Sequence, residues 1–540
     1  MEAQELCSRS KKEYILFWAV VMAAALVMRV IGCFWGFPML LHPDEPATVD
    51  YAIEMLSRHS YMAVSFDRPD HFEIKCDALL FTVFSWLRYQ MPAYEAFSQH
   101  PTFFYGIARL FTAFFGTLLI PVTAGLTHCL FYHKSRKFQR VSAVVAGMGA
   151  AFLPVFLQYS CLAVPDLVLT VFVMLFTWCL WYYLREGRKW SVWLAAGIIG
   201  ICVTIKYNGA ILCLPIALAV IYRKTVTEKR PVEIFSMGIV SAALVCLTAF
   251  LIAPNLFIEY KTVIANVLRE ARPNHLGADG LSLFGNMRYY FLEIASECGY
   301  ISILFGLLGL FFVLRDREKG LLCFLVGGIY WFCMSVLKLH WSRWGIPMYP
   351  FYLILVGSGV AGLLEISKGK KAAQWLVGLA AAAMLGNMFL SGLAETTSLT
   401  VPDSRYLALE QLEELGITEE NTLSEGYTPF DPAGYQDRTQ SFFWEDGQLR
   451  VEAAFREKTY FVMSDSFQRR FRAEPERYGQ QLEIYDGIGQ QFPLVYQLIP
   501  DDTRESSPFV LKNIAHALRY MGKHVTCSGN PITVYSLPEN

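Results

Sequence analysis

Three carboxylates stand at the edges of long apolar segments of the chain. Asp44 and Glu45 belong to the run His-Pro-Asp-Glu-Pro at 42–46, and Asp166 follows a proline between two other apolar segments. A carboxylate at the edge of a membrane is costly unless it faces water or a partner, so each is a candidate functional residue. The alternative for each is a solvated or helix-capping acid.

Four basic residues are candidates for binding a phosphate beside these acids: Lys75, Lys206, Arg343 and Arg109. Lys and Arg side chains pair well with phosphate oxygens, so a bound lipid phosphate would explain why several of them converge. Lys206 could instead extend its ammonium to the membrane surface. Arg109 could equally hydrogen-bond between helices, as could Arg29.

The composition indicates the environment in which these residues act. The 540 residues are 54% hydrophobic and 17% charged, with a mean hydropathy of +0.35, which is typical of an integral membrane protein. A net charge of −1 gives no bulk attraction to nucleic acid. The cysteines show neither metal-ligand spacing nor a disulfide framework, although Cys76 and Cys527 could pair in an oxidising compartment.

The elements that must position the site are membrane-spanning helices, each of which needs about 20 mostly apolar residues. Eleven segments qualify, and they lie near 14–38, 105–132, 141–164, 167–184, 190–205, 207–222, 233–254, 297–314, 320–337, 344–365 and 372–394. We therefore predict a multi-pass protein of the plasma membrane.

Basic residues orient these helices, because Lys and Arg gather in short cytoplasmic loops. Alternate connections are basic, near 9–12, 134–140, 185–189, 223–230, 315–319 and 368–371. The N-terminus is therefore predicted to be cytoplasmic and, after eleven spans, the C-terminus extracytoplasmic. This orientation depends on reading 190–222 as two helices divided at Lys206-Tyr-Asn-Gly209 rather than as one.

The same topology predicts long outer loops at 39–104 and 255–296. It also brings the three carboxylates and the candidate phosphate-binding cations to the outer face of the membrane. Their coincidence on one face favours a functional site over unrelated surface charges. Walker, Rossmann, nucleophile-elbow and His-Glu-x-x-His motifs are absent from the sequence, which disfavours cytosolic nucleotide chemistry.

The chain changes character after Glu395, where it becomes polar and rich in turns. We divide it into a transmembrane domain at 1–396 and a small extracytoplasmic soluble α/β domain at 397–540. Asp403 is predicted to cap an amphipathic helix that ends before Gly416. Apolar runs near 459–463 and 532–537 are predicted strands.

Several of these segments resemble the GT-C class of membrane glycosyltransferases, specifically the family-39 group of protein O-mannosyltransferases and bacterial aminoarabinose transferases. The resemblance rests on the first span with Arg29 followed by the motif at 42–46, on Arg109-Leu-Phe-Thr-Ala-Phe-Phe-Gly, on Tyr159 to Asp166, on Lys206-Tyr-Asn-Gly, on Lys338 to Pro347, on Pro402-Asp-Ser-Arg-Tyr-Leu-Ala and on Tyr460 to Phe471. It covers nearly the whole chain and implies a polytopic all-α membrane domain of the GT-C type followed by a small soluble α/β domain.

The resemblance also implies an activity and a set of partners. A sugar would move, with inversion, from a polyprenyl-phosphate donor to an extracytoplasmic protein, lipid or cell-wall polymer. Asp44 would be the general base, Glu45 would orient the acceptor or tune that base, and Asp166 would shape the site or help to bind a divalent metal. Asp44 is the other candidate metal ligand, and no cofactor is certain.

By the same resemblance, Lys75, Lys206 and Arg343 would hold the leaving lipid phosphate, with Arg109 as a further candidate. One departure is the stretch Asp67 to Cys76, which stands where many bacterial relatives have Tyr-Pro-Pro. The alternatives from other classes are a multi-span transporter or flippase of a lipid-linked or anionic substrate, and a scaffold for the C-terminal domain. A transporter usually shows inverted repeats, and none is visible in the sequence.

Overall fold

The computed structural model describes residues 2–62, 70–270, 281–315, 324–501 and 508–538, with the backbone alone for 2–11, 270 and 324. The chain is mainly helical as far as Ser398, and its sheets follow. The helices of this first part are α1 Glu2–Gly32, α2 Pro46–Ser57, α3 His71–Tyr89, α4 Ala93–Gln99, α5 Pro101–Leu130, α6 Arg136–Phe152, α7 Pro154–Ser160, α8 Asp166–Glu186, α9 Lys189–Ile205, α10 Cys213–Tyr222, α11 Val232–Ile252, α12 Asn255–Ile258, α13 Tyr260–Glu270, α14 Leu283–Cys298, α15 Ile301–Arg315, α16 Ile329–Val336, α17 Tyr349–Ile366 and α18 Lys371–Ser398.

Short segments of tighter or wider helix adjoin several of these elements. Tyr207–Leu212 and Ser342–Met348 are 3₁₀ segments, whereas Arg223–Thr227 and Phe324–Gly328 are π-helical. Such departures from the α-helix are frequent at helix ends and at functional sites. The two 3₁₀ segments carry or follow candidate site residues, as described below.

Within the described residues, seven helical segments are long and apolar enough to cross a membrane. They are Lys12–Gly32, Pro101–Leu130, Asp166–Glu186, Tyr207–Thr227, Val232–Ile252, Ser342–Ile366 and Lys371–Ser398. Two helix pairs pass the same test but are bent, α6 with α7 by 49° and α14 with α15 by 113°. Counting each pair as one span gives up to nine.

The predicted count of eleven spans is not confirmed. The two remaining predictions, 190–205 and 320–337, correspond to the shorter apolar helices Lys189–Ile205 and Leu325–Val336, and residues 320–323 lie outside the described part. A run of apolar residues sets the hydropathy of a segment but does not make it one straight helix. Pro154, for example, interrupts the third predicted span because its ring cannot continue the preceding helix.

The predicted division of 190–222 into two helices is confirmed at its expected place. Helix α9 ends at Ile205, and Lys206 is extended, with φ −152° and ψ 140°. The following 3₁₀ turn folds back onto α9, where a Cβ atom on Gly209 would lie 2.4 Å from the carbonyl carbon of Cys202. Only a glycine fits this approach, so the sequence Lys-Tyr-Asn-Gly encodes the turn.

The helices pack closely where small residues face one another. Helices α15 and α17 touch along their backbones, since a Cβ atom on Gly309 would lie 1.8 Å from the Leu355 carbonyl oxygen and one on Gly359 would lie 1.9 Å from that of Phe305. In a bilayer, small residues of this kind hold helices together through van der Waals packing rather than through the hydrophobic effect. Helix α17 in turn packs against α6 and so forms the centre of the bundle.

The C-terminal module (residues 403–538) contains the two sheets of the structure's described part. Its elements are α19 Ser404–Glu414, β1 Thr422–Ser424, β2 Phe442–Glu445, β3 Gln448–Val451, β4 Tyr460–Ser464, α20 Asp465–Ala473, α21 Gly479–Gln491, β5 Leu494–Leu498, α22 Val510–Met521 and β6 Ile532–Ser536. The main sheet has the order β1-β4-β6-β5, with β1 parallel to β4 and the other pairs antiparallel. Strands β2 and β3 form a hairpin across Asp446-Gly447, both with positive φ.

The helix and strands predicted in this module are present. The Asp403 carboxylate accepts a hydrogen bond from the Arg405 backbone N–H at 3.1 Å and caps α19, and Gly416 follows that helix with φ +72°. The module also docks on the helices, because α22 packs along α18 and the Asn513 amide donates to Asn387 at 2.7 Å. Cys76 and Cys527, whose pairing the sequence left open, are both free thiols.

Candidate active site

The segment between α1 and α2 presents the two acids of the motif at 42–46, and its shape depends on a buried arginine. Arg109 of α5 donates to the carbonyl oxygens of Cys33 at 3.1 Å and Trp35 at 2.6 Å. Its Nε and second terminal nitrogen donate to the two oxygens of Glu45, both at 2.7 Å. Glu45 also accepts from the Ala163 backbone N–H at 2.9 Å. The loop is therefore fixed from within the bundle.

We call Glu45 and Arg109 the buried pair, since both side chains are 0% exposed. A bidentate carboxylate and guanidinium pair is the strongest kind of charged hydrogen bond, and burial is tolerable because each partner neutralises the other. Every nitrogen of the Arg109 guanidinium donates within the protein. The geometry thus supports a structural role for Arg109 rather than the phosphate-binding role predicted for it.

Asp44 stands one residue before Glu45 but lies in a different environment. Its carboxylate pairs with Arg343, which comes from the 3₁₀ segment before α17. Asp44 is 20% exposed and Arg343 is 25% exposed, so both reach solvent. The Nε of Arg343 has no hydrogen-bond partner among the described residues. This pair leaves the Asp44 carboxylate accessible, whereas the Nε of Arg343 is buried.

Asp166 and Lys206 form a second charged pair, at 2.5 Å. Asp166 is the first residue of α8 and only 2% exposed, whereas Lys206 stands at the break after α9 and is 15% exposed. The second carboxylate oxygen of Asp166 is buried and has no hydrogen-bond partner in the described ranges. A carboxylate held in this way can orient the neighbouring ammonium.

The two charged pairs lie close enough to act on each other. Arg343 is within electrostatic range of both Asp44 and Asp166, and the ring of Tyr159 lies within range of all three. Helix α8 packs against the 3₁₀ segment that carries Arg343. We call Asp44, Asp166, Lys206 and Arg343 the rim cluster. The structure thus brings together four of the seven residues that the sequence singled out.

Lys75 is placed differently. It lies on α3 with its ammonium 3.2 Å from the centre of the Tyr61 ring, and that nitrogen has no hydrogen-bond partner in the described part of the chain. Burial lowers the pKa of Lys75 to about 8. An ammonium over an aromatic face is stabilised without an anion. The stretch Asp67 to Cys76, which stands in place of Tyr-Pro-Pro, is described only from Asp70 onward, because residues 67–69 lie outside the described ranges.

Sequence reasoning missed a stripe of acids on α3. Asp70, Glu73 and Asp77 are all buried, although they were passed over in the sequence. Their spacing of three and four residues is the signal that could have found them, because it places side chains on one helix face. Burial raises the pKa of Glu73 and of Asp77 well above the usual range, and neighbouring Asp70 adds to the shift at Glu73.

The candidate metal ligands do not form a metal site in this arrangement. Asp44 and Asp166 each face a cationic partner, and no group of three His, Cys, Asp or Glu side chains suited to a metal ion occurs in the described ranges. A divalent ion would have to displace Arg343 or Lys206. The residues as placed therefore do not fit a metal, and we derive no step through one.

Comparisons with known proteins bear on what this rim does. Residues 99–258, which contain Arg109, Asp166 and Lys206, match the family model described as dolichyl-phosphate-mannose-protein mannosyltransferase. No curated protein matches the chain at a significant level. Among solved structures, the oligosaccharyltransferase of Archaeoglobus fulgidus in its apo form has a TM-score of 0.52 at 12% identity, covering 89% of this chain and 73% of its own.

The chain is a membrane glycosyltransferase with the GT-C fold. The resemblance read from the sequence is confirmed, and the transporter alternative is not favoured. The same archaeal enzyme in complex with an inhibitory peptide and a dolichol-phosphate has a TM-score of 0.50 at 12% identity, covering 90% of this chain and 73% of its own. ArnT from Cupriavidus metallidurans bound to undecaprenyl phosphate has a TM-score of 0.47 at 13% identity, covering 96% of this chain and 90% of its own.

Proposed function

We propose that this glycosyltransferase moves a hexosyl or pentosyl group from a polyprenyl phosphate to an extracytoplasmic protein, lipid or cell-wall polymer, with Asp44 as the general base. The observation that carries the proposal is the contrast between neighbouring acids. Glu45 is sealed against Arg109, whereas Asp44 is held at an accessible rim beside a second charged pair. A base must reach the proton that it removes, and Asp44 is the acid of the pair that can do so.

The proposed reaction is a single displacement. The acceptor oxygen or nitrogen attacks the anomeric carbon while Asp44 takes its proton. The bond from the anomeric carbon to the phosphate oxygen breaks, and its electron pair leaves with the polyprenyl phosphate, which gains one negative charge. Attack opposite to the leaving group inverts the anomeric carbon.

Arg343 and Lys206 are suited to stabilise that leaving phosphate. The Arg343 side chain is 25% exposed beside Asp44, and Lys206 has three N–H donors, of which one is directed to Asp166. Charge that develops on the phosphate in the transition state would meet donors already in place, which is the arrangement that lowers a barrier most. In this scheme Asp166 positions Lys206, and Glu45 with Arg109 positions Asp44.

The donor class is supported by the family description and by a lipid phosphate named in a complex of the same fold. The matching family model is described by a dolichyl-phosphate-mannose donor, and the archaeal oligosaccharyltransferase was solved with a dolichol-phosphate. A lipid phosphate also suits a charged rim at the edge of an apolar bundle. Its phosphate would meet the cations while its chain stays in the bilayer.

The side of the membrane is part of the proposal. The distribution of Lys and Arg supports an N-terminus in the cytoplasm and a rim cluster outside. The C-terminal module belongs on the same side as the rim, because its Arg405 donates to the carbonyl oxygen of Leu41, three residues before Asp44. We therefore place the module, proposed as a soluble domain beginning near residue 397, in the extracytoplasmic space.

The test is transfer of radiolabelled sugar from a panel of polyprenyl-phosphate sugars to membrane acceptors. We expect Asp44→Asn to lower kcat by about 10²- to 10⁴-fold, as loss of a general base does. Glu54→Gln is the matched control, since Glu54 lies on α2, has a side chain 36% exposed and pairs with neighbouring Arg58. Transfer by Asp44→Asn at the level of the control would refute the base assignment, and wild-type transfer would identify the donor.

A further inference from the structure

The C-terminal module contacts the loop that presents Asp44. Arg405, the second residue of α19, is 7% exposed, and one of its terminal nitrogens donates to the Leu41 carbonyl oxygen at 3.0 Å. Leu41 belongs to the loop 33–45, between α1 and α2. This hydrogen bond therefore joins the far end of the chain to the backbone immediately before the proposed base.

Arg405 is itself held rigidly by the module. Its Nε and other terminal nitrogen donate to the two oxygens of Asp403, at 2.8 and 3.1 Å. The nitrogen that reaches Leu41 also donates to the Pro432 carbonyl oxygen at 2.7 Å. Asp403 caps α19, so the guanidinium is anchored to the start of a helix. A donor fixed in this way loses little conformational freedom when it binds the loop.

The side chain of Leu41 is held at the same place. It is buried in a small apolar cluster with Trp35 from its own loop, Leu162 and Val164 before α8, and Leu399 of the connection to the module. Loop 33–45 is thus held by Arg109 at both ends, through Cys33, Trp35 and Glu45, and by Arg405 at Leu41 between them. Asp44 lies between the backbone contact at Leu41 and the side-chain contact at Glu45.

We propose that Arg405 is a positioning residue for the transfer reaction: through the Leu41 carbonyl oxygen it fixes the backbone that presents Asp44 to the acceptor. This rests on the proposed role of Asp44 as the base. The donor phosphate is assigned to other elements, namely Lys206 after α9 and Arg343 before α17. Loss of Arg405 should consequently affect kcat and leave donor KM nearly unchanged.

The test compares Arg405→Gln with Arg438→Gln in the full-length protein. Arg438 donates to the Ser424 carbonyl oxygen at 2.9 Å, an arginine-to-carbonyl bond made wholly within the module. We expect Arg405→Gln to lower kcat on the order of 10- to 100-fold, as small displacements of a catalytic group do, with donor KM within about twofold. Arg405→Lys, which keeps a donor of similar reach, should recover part of the loss.

Hydrogen exchange provides a readout that does not need activity. Backbone amides of residues 39–47 should exchange faster in Arg405→Gln than in wild type, whereas Arg438→Gln should affect only the module. The amide contact between Asn513 and Asn387 is untouched in both variants and keeps the module docked. Equal kcat or equal exchange of 39–47 in the two variants would overturn the inference. If residues 39–47 exchange faster in Arg405→Gln while Asp44→Asn is fully active, the contact between Arg405 and the loop stands and the role of Asp44 as the base is refuted.

Discussion

The buried pair and the rim cluster contain adjacent acids, Glu45 and Asp44, whose surroundings differ. Glu45 and Arg109 are fully buried and hydrogen-bonded within the protein, whereas the side chains of Asp44 and Arg343 are 20% and 25% exposed. Burial of the first pair gives the fold a rigid loop, and the exposure of the second pair lets a substrate reach it. Two acids of equal chemistry thus acquire different roles from the partners that the fold gives them.

The largest expected effect is on the buried pair. Glu45→Ala leaves the Arg109 charge buried and unpaired, and should lower the free energy of unfolding by about 3–5 kcal/mol. Thermal unfolding of the purified protein in detergent measures this, with Glu54→Ala, at a partly exposed position of α2, as the control. The double variant Glu45→Gln with Arg109→Met should be more stable than Glu45→Ala. Equal melting temperatures for Glu45→Ala and Glu54→Ala would show that the buried pair does not stabilise the fold.

Arg343→Gln tests the rim in the opposite sense. The substitution removes a charged donor from the proposed phosphate site and should lower kcat/KM by about 100-fold. Because Asp44 can be solvated once its partner is gone, the melting temperature should change little. Initial rates with the labelled donor give kcat/KM, and a melting curve on the same preparation gives the melting temperature. A large loss of stability with unchanged kcat/KM would show that the rim is structural.

A third carboxyl sharpens the comparison, because it is buried and has no ion pair with a Lys or Arg in the described part of the chain. Glu425 follows β1 in the C-terminal module, is fully buried, and accepts from the Tyr485 hydroxyl. Burial raises its pKa to about 8 from the ordinary 4.5. Between these two values the folded state binds a proton that the unfolded state has released, so stability falls as pH rises from 4.5 to 8.

Glu425→Gln keeps the acceptor for Tyr485 and removes the titration. The variant should match wild type near pH 4.5 and exceed it at pH 8 by on the order of 4 kcal/mol. Denaturant unfolding, monitored through hydrogen exchange of the β1 and β4 amides, gives the free energy of unfolding of each protein as a function of pH. Parallel profiles for wild type and variant would show that Glu425 stays ionised when folded.

The smallest expected effect is at Lys75. Lys75→Gln should raise donor KM by about two- to fivefold, the range expected for one weak charge contact, and leave kcat unchanged. The pKa of about 8 makes this contact sensitive to pH, since the ammonium is lost as pH rises through that value. Donor KM of the wild type should therefore rise between pH 7 and 9, and that of Lys75→Gln should not. A rise in both would assign the titration to another group.

The sequence predicted the rim cluster better than it predicted the buried pair. The alternation of basic loops assigns one end of each span to the same membrane surface, and this was enough to group Asp44, Asp166, Lys206 and Arg343. The pairing of Glu45 with Arg109 depends on how α5 rotates behind the loop, which hydropathy does not record. For the same reason the sequence leaves two roles open for Arg109, phosphate binding and hydrogen bonding between helices.

Helix geometry was predicted least well. The apolar content of 141–164 and 297–314 indicated spans but could not reveal the bends after Phe152 and Cys298. In the C-terminal module the cap at Asp403 and the strands around β4 and β6 were visible, since they depend on local pattern alone. The acidic stripe of α3 had the right spacing, yet its burial required a tertiary neighbour that no local pattern specifies.

Two contacts of the loop that presents Asp44 also set an order of events during synthesis. Asp44 meets Arg343 across 299 positions of the chain, and Leu41 meets Arg405 across 364. A ribosome that has delivered the first helices to the membrane has not yet made either partner. For most of translation, the nascent chain therefore contains the proposed base without Arg343, which pairs with it, and without Arg405, which binds its loop. Completion of the enzyme waits for the last quarter of the polypeptide.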